Sequence, residues 1–176
     1  MRIVKRVVLA LIAIVVVLVA VAFVLPSHYS VARSIEIDAP ASKIYPLVVN
    51  TRAWKQWSVW NQRDPNMQIV YAGPESGAGA QWKWHSKGEG DGEMTLTSAE
   101  PDRRIGYALF FPDFNSTATG TMTFDAISPN TTRVTWTNEG ELGNNPMMRW
   151  MGLAMDRMVG NDFAAGLANL KKLATQ

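Results

Sequence analysis

The sequence predicts an α+β domain, an antiparallel sheet with helices on one side, behind a single apolar N-terminal helix. Three observations lead there. Val7 to Leu25 is an unbroken run of 19 apolar residues. Seven segments between His28 and Glu141 have strand character and are separated by Gly, Pro, Asn and Asp turns. From Met151 to Leu170 apolar residues recur every three to four positions, the period of a helix.

As a helix, the first run would span roughly 28 Å, close to a bilayer core of about 30 Å. Arg2, Lys5 and Arg6 lie on its N-terminal side and no acid occurs before residue 26. The positive-inside rule then keeps the N-terminus in the cytoplasm and places the rest outside it. Ala20-Val21-Ala22 also fits a small-x-small cleavage site, as in a removable signal peptide. Phe23, Val24 and Leu25 continue the apolar run past that cut, which suits an uncleaved anchor in the inner membrane better. The alternative is a secreted or periplasmic protein. The expected division is an anchor or signal over 1–26 and a folded domain over 27–176.

The first strand, His28 to Ala39, alternates, with Val31, Arg33, Ile35 and Ile37 on one face. Pro40 opens a short helix to Val49, and Thr51 is placed to cap a second one through Trp57. A polar loop over Asn61–Asn66 follows. Strands are expected over 67–72, 80–86, 93–99, 104–111, 117–127 and 132–141. Thr117, Thr119, Thr121 and Thr123 share one face of the sixth, and Ala118, Gly120, Met122 and Phe124 the other. The threonine face suits solvent and its opposite suits a core or cavity. Pro146 sits at the start of the final helix, with Lys171 and Lys172 in its last turns where the helix dipole favours them. Gly152, Gly160 and Gly166 each cost about 1 kcal/mol in a helix relative to alanine, so close packing is expected there.

Composition excludes several kinds of chemistry. No cysteine means no disulfide, thiolate metal site or cysteine nucleophile, and two histidines leave little for a histidine-based metal site. The net charge of +2 resides in the leader. Without its three bases the chain carries 14 basic and 15 acidic residues and no basic stripe for nucleic acid. No metal or cofactor is expected. Two titratable side chains are candidates for acid or base chemistry. His85 falls opposite Trp82 and Trp84 by strand parity, a surface position unless it serves as an acid or base. Asp156 lies among methionines on the last helix. It reads either as a buried acid with a raised pKa or as an acid paired with an arginine. Trp54, Trp57 and Trp60 recur at spacing three, as if along one helical face, to close a cavity, pack under the sheet, or touch a membrane.

Ser34-Ile35-Glu36-Ile37-Asp38-Ala39-Pro40, the Trp54/Trp57/Trp60 set followed by Asp64-Pro65, and Met155 to Phe163 with Gly166-Leu167 and Leu170-Lys171 resemble one group of proteins. This is the SRPBCC superfamily of START-like and polyketide cyclase/dehydrase domains, in a membrane-anchored bacterial form. The resemblance covers roughly residues 29–174. It implies the helix-grip fold, a curved seven-stranded antiparallel sheet around a long C-terminal helix, with a cavity between them. It implies no universal catalytic motif.

On that basis Trp82, Trp84, Phe110, Met122, Phe124, Trp136, Met151, Met155 and Val159 are expected to line a site for a small hydrophobic or lipid-like ligand. Methionines repack easily around variable apolar ligands, and five of the nine lie between Met147 and Met158. The alternatives are a cyclase or dehydratase using Asp156 or His85, and a protein-interaction module with a filled cavity.

Overall fold

The computed structural model describes residues 2–176. Helix α1 runs Arg2–Ala22. Only its last turn touches the domain, at the start of the final helix, and its apolar window has a mean hydropathy of 2.9 with none of it buried. By length and composition it suits a membrane span or a signal sequence. After a five-residue link β1 begins, His28–Ile37. Two four-residue helices follow, α2 (Ala41–Ile44) and α3 (Pro46–Val49), then a 3-10 helix, Thr51–Gln56, and α4, Val59–Arg63. Strands β2 (Gln68–Ala72), β3 (Gln81–His85), β4 (Gly92–Glu100), β5 (Arg104–Phe111), β6 (Ser116–Ser128) and β7 (Thr131–Glu141) lead to α5, Pro146–Ala174.

All seven strands form one antiparallel sheet in the order β1-β7-β6-β5-β4-β3-β2. Only the β1–β7 pairing is non-local. Short turns carry the rest, as the Gly, Pro and Asn joints require. The inner face carries Val31 and Ile37, Trp82, Met94 and Leu96, Ile105 and Tyr107, Met122 and Phe124, and Val134 and Trp136, all buried. Helix α5 packs over β1 and contributes Phe163, Leu167 and Leu170 to the same core.

The sheet and long helix follow the expected plan, and the short helical segments differ from it in three ways. The stretch 41–49 is two turns of helix with Tyr45 between them, where Pro46 opens a new first turn. The next segment is 3-10 helix, and its cap is Asn50, whose Oδ1 accepts from Arg52 N at 2.9 Å; Thr51 is buried instead. The polar stretch expected as loop from Asn61 contains the end of α4.

Glycine in mid-strand makes room for a ring. Gly120 on β6 faces Tyr107 on β5, and a methyl group there would overlap the tyrosine hydroxyl and the Thr137 carbonyl. On α5, Gly160 lies against the Arg33 guanidinium in the same way. The cost of glycine in a helix is thus offset by contact between α5 and β1. Gly120→Ala should destabilise the fold by about 1–3 kcal/mol. Gly88→Ala, in a turn with open space around it, should stay within about 0.5 kcal/mol. Chemical denaturation followed by tryptophan fluorescence separates the two, and equal effects would refute the ring-accommodation argument.

Candidate functional site

The space between the sheet and α5 divides into a filled part and a half-covered part. The filled part centres on Trp136. Its ring stacks on Phe163 at 3.9 Å with planes 5° apart. Trp54, Trp57 and Trp60 meet it edge-on at 5.5, 5.5 and 5.9 Å. The 3-10 helix has three residues per turn, so a spacing of three brings Trp54 and Trp57 onto one face, 4.5 Å apart. Their indole N–H groups donate to the carbonyls of Val48 and Leu47. The tryptophans therefore pack under the sheet.

A buried polar chain adjoins this cluster. Trp136 Nε1 donates to Tyr107 Oη at 2.9 Å, and that hydroxyl donates to the Thr137 carbonyl at 2.6 Å. Asn138 Nδ2 approaches Tyr107 Oη at 3.5 Å, and Tyr29 Oη donates to Asn138 Oδ1 at 2.9 Å. Burial pushes both phenols above the usual tyrosine range, Tyr107 far above it. Both are neutral hydrogen-bonding groups at physiological pH.

Beyond the polar chain, cover over the inner face thins. Trp84 on β3, Leu109 on β5, and Met155 and Val159 on α5 point inward but are only partly buried. At one flank Arg63 bridges Glu89 of the β3–β4 turn (2.9 Å) and Asp162 of α5 (2.7 Å), tying that turn to the helix. Two depressions stand out on the surface, and neither lies between sheet and helix. One, about 440 Å³, crosses the starts of β1 and β6 and the end of β7, from His28 to Glu141; the other, about 680 Å³, flanks Arg2–Leu9.

The expected site residues therefore separate. Trp82, Met122, Phe124 and Trp136 are buried in the core. Trp84, Met155 and Val159 border the half-covered part, and Met151 is 40% exposed one turn before Met155. Phe110 needs correcting: strand parity pairs it with Glu93 and Thr117 on the outer face, and it is 38% exposed. Its neighbours Leu109 and Phe111 point inward instead. His85 is on the outer face, its Nδ1 2.6 Å from Asp91. Asp156 is not a buried acid. It lies on the exposed side of α5, bound by Arg33 at 2.8 Å, and the guanidinium holds its carboxyl below the usual range. Neither group faces the interior. Tyr29, Tyr107 and Asn138 were missed, although the alternation of β1, β5 and β7 places each on the inward face. Among the described residues no three His, Asp or Glu side chains converge to hold a metal ion.

A long helix gripped by a strongly curved seven-stranded sheet, with its polar groups paired internally, defines a helix-grip domain. Residues 28–175 match the family described as polyketide cyclase / dehydrase and lipid transport, and the chain belongs to that family. Solved structures share the fold. A protein from Thermobifida fusca is 20% identical, with a TM-score of 0.63 over 82% of this chain and 92% of its own. Norcoclaurine synthase from Thalictrum flavum, in complex with dopamine and hydroxybenzaldehyde, is 11% identical, with a TM-score of 0.63 over 84% of this chain and 87% of its own. A protein from Mesorhizobium loti is 14% identical, with a TM-score of 0.58 over 82% and 95%. No curated protein sequence matches the chain.

Two measurements test these assignments. The Asp156 carboxyl should titrate below about 3.9, the ordinary aspartate value, and Arg33→Ala should return it there, as read by carboxyl NMR. A lowered pKa means the pair stabilises the fold fully above that value and loses its effect as pH falls through the shifted one. A raised value would restore Asp156 as a general-acid candidate. Tyr107→Phe leaves the Trp136 N–H buried without its acceptor and should cost about 1–3 kcal/mol in chemical denaturation. No change would mean that the polar chain is not structural.

Proposed function

We propose that the chain is a membrane-tethered binding domain for a small hydrophobic or amphipathic ligand. The ligand would lie in the half-covered space between β3–β5 and the N-terminal half of α5. The observation that carries this reading is the set of inward-facing, incompletely covered apolar side chains, Trp84, Leu109, Met155 and Val159, beside the polar groups of Tyr29 and Asn138. Apolar walls supply affinity at about 25 cal/mol per Å² buried. A few convergent polar groups fix orientation. The family's description includes lipid transport, which supports a lipid-like ligand. Helix α1, read as an uncleaved span with the N-terminus inside, would hold the domain beside the membrane.

Two observations favour other readings. Norcoclaurine synthase is an enzyme on this fold, and in a reaction here Tyr29 would act as a neutral hydrogen-bond donor. The aromatic filling around Trp136 favours an interaction module with a closed interior.

Native mass spectrometry of the full chain taken from its own membranes, with identification of anything released, tests the choice. The binding reading expects an apolar or amphipathic molecule at near-stoichiometric occupancy. Trp84→Ala and Met155→Ala should each weaken its retention about tenfold, equivalent to roughly 1.4 kcal/mol, without unfolding. Phe110→Ala, on the outer face, should leave it unchanged. Empty protein, or equal effects of all three substitutions, would overturn this reading.

A further inference from the structure

The first ten residues of α5, Pro146 to Met155, contain one charged side chain, Arg149. That charge is already engaged. Its Nη1 donates to the carbonyls of Phe23 (3.0 Å), Leu25 (3.3 Å) and Ala22 (3.4 Å). Its Nε donates to Gly143 O at 2.8 Å and its Nη2 to Asn144 Oδ1 at 3.2 Å. The last carbonyls of a helix lack intrahelical donors and carry partial negative charge. The guanidinium therefore fastens the end of α1 to the start of α5. Beside it, Trp150 Nε1 donates to the Leu18 carbonyl at 3.1 Å. Leu18 lies four residues before the end of α1, so the indole sits roughly 6 Å inside that end, at about 1.5 Å per residue.

Around these two anchors the helix is bare. Met147 is 71% exposed and Leu153 58%, with Trp150 and Met151 near 40%. The β5–β6 tip adds Phe114, 64% exposed. The register brings the tip to the same end. Ala118 near the start of β6 pairs with Gly140 near the end of β7, which pairs with Tyr29 near the start of β1. Soluble domains rarely gather large apolar side chains at one end without a partner.

We propose that this end of the domain is a membrane footprint. The first turns of α5 and the β5–β6 tip lie in the headgroup–acyl boundary of the bilayer that α1 crosses. This rests on the reading of α1 as a membrane span. The partner is lipid because Trp150 is level with the last turn of the apolar helix. That depth fits the ~5–10 Å at which interfacial helices lie, and tryptophan favours that zone. Met151 and Met155 then run from the footprint up to the proposed ligand space, which opens toward lipid.

The chain has no cysteine, so single-cysteine variants of the full protein take one nitroxide label each. Val15→Cys, Met147→Cys, Phe114→Cys and Ile127→Cys would be placed in phosphatidylcholine vesicles containing some phosphatidylglycerol. Electron paramagnetic resonance then gives depth from accessibility to oxygen against a water-soluble nickel chelate. The expected pattern is Val15 deep in the acyl region, Met147 and Phe114 about 5–10 Å below the phosphates, and Ile127, at the far end of β6, in water. Val15 deep with either Met147 or Phe114 as water-exposed as Ile127 would overturn the footprint and leave the anchor standing. Val15 in water would overturn the anchor and the footprint together.

Discussion

The domain is organised around the indole of Trp136. One face stacks on Phe163 of α5, the edges of three other tryptophans close against it, and its N–H is fixed by Tyr107. A single side chain at the middle of β7 thus sets the height of the long helix, the placement of the short helical segments and the orientation of a buried tyrosine. Large aromatic rings bury much area in a fixed geometry. Where they end, the inward side chains Trp84, Leu109, Met155 and Val159 are only partly buried.

Much of this was legible in the chain. Strand alternation marked the inward faces of β6 and β7 because one side is threonine and the other apolar. The same alternation put His85 outside, where it lies. Phe110 went wrong because an apolar residue on a strand does not declare its face. Three consecutive apolar residues, Leu109 to Phe111, erase the alternation, and only pairing with Glu93 and Thr117 fixes the parity. The short helical segments were harder. Asn50 and Thr51 are both good caps; Asn50 takes the role and Thr51 is buried, an outcome set by tertiary packing rather than by the local sequence. The Tyr29–Asn138–Tyr107 chain joins strands far apart in sequence, so no local pattern announces it.

Two arginines join elements that are far apart in sequence. Arg33 reaches from an inward strand position across Gly160 to Asp156 on the outer side of α5. Arg63 joins three segments at once. Ionic contacts at exposed positions are individually weak. Here they set where elements lie along one another, while burial supplies most of the stability.

The strand order carries a kinetic consequence. Strand β1 is synthesised first yet pairs only with β7, roughly a hundred residues later, while β2 to β7 zip through successive hairpins. Long-range pairing of this kind is slow because the loop must close before the contact forms. Until β7 is made and α5 docks, β1 is an unpaired strand hanging from an apolar helix, with Val31, Ile35 and Ile37 uncovered. For that interval the newborn chain is most open to aggregation, and a chaperone able to shield an extended apolar strand would act then.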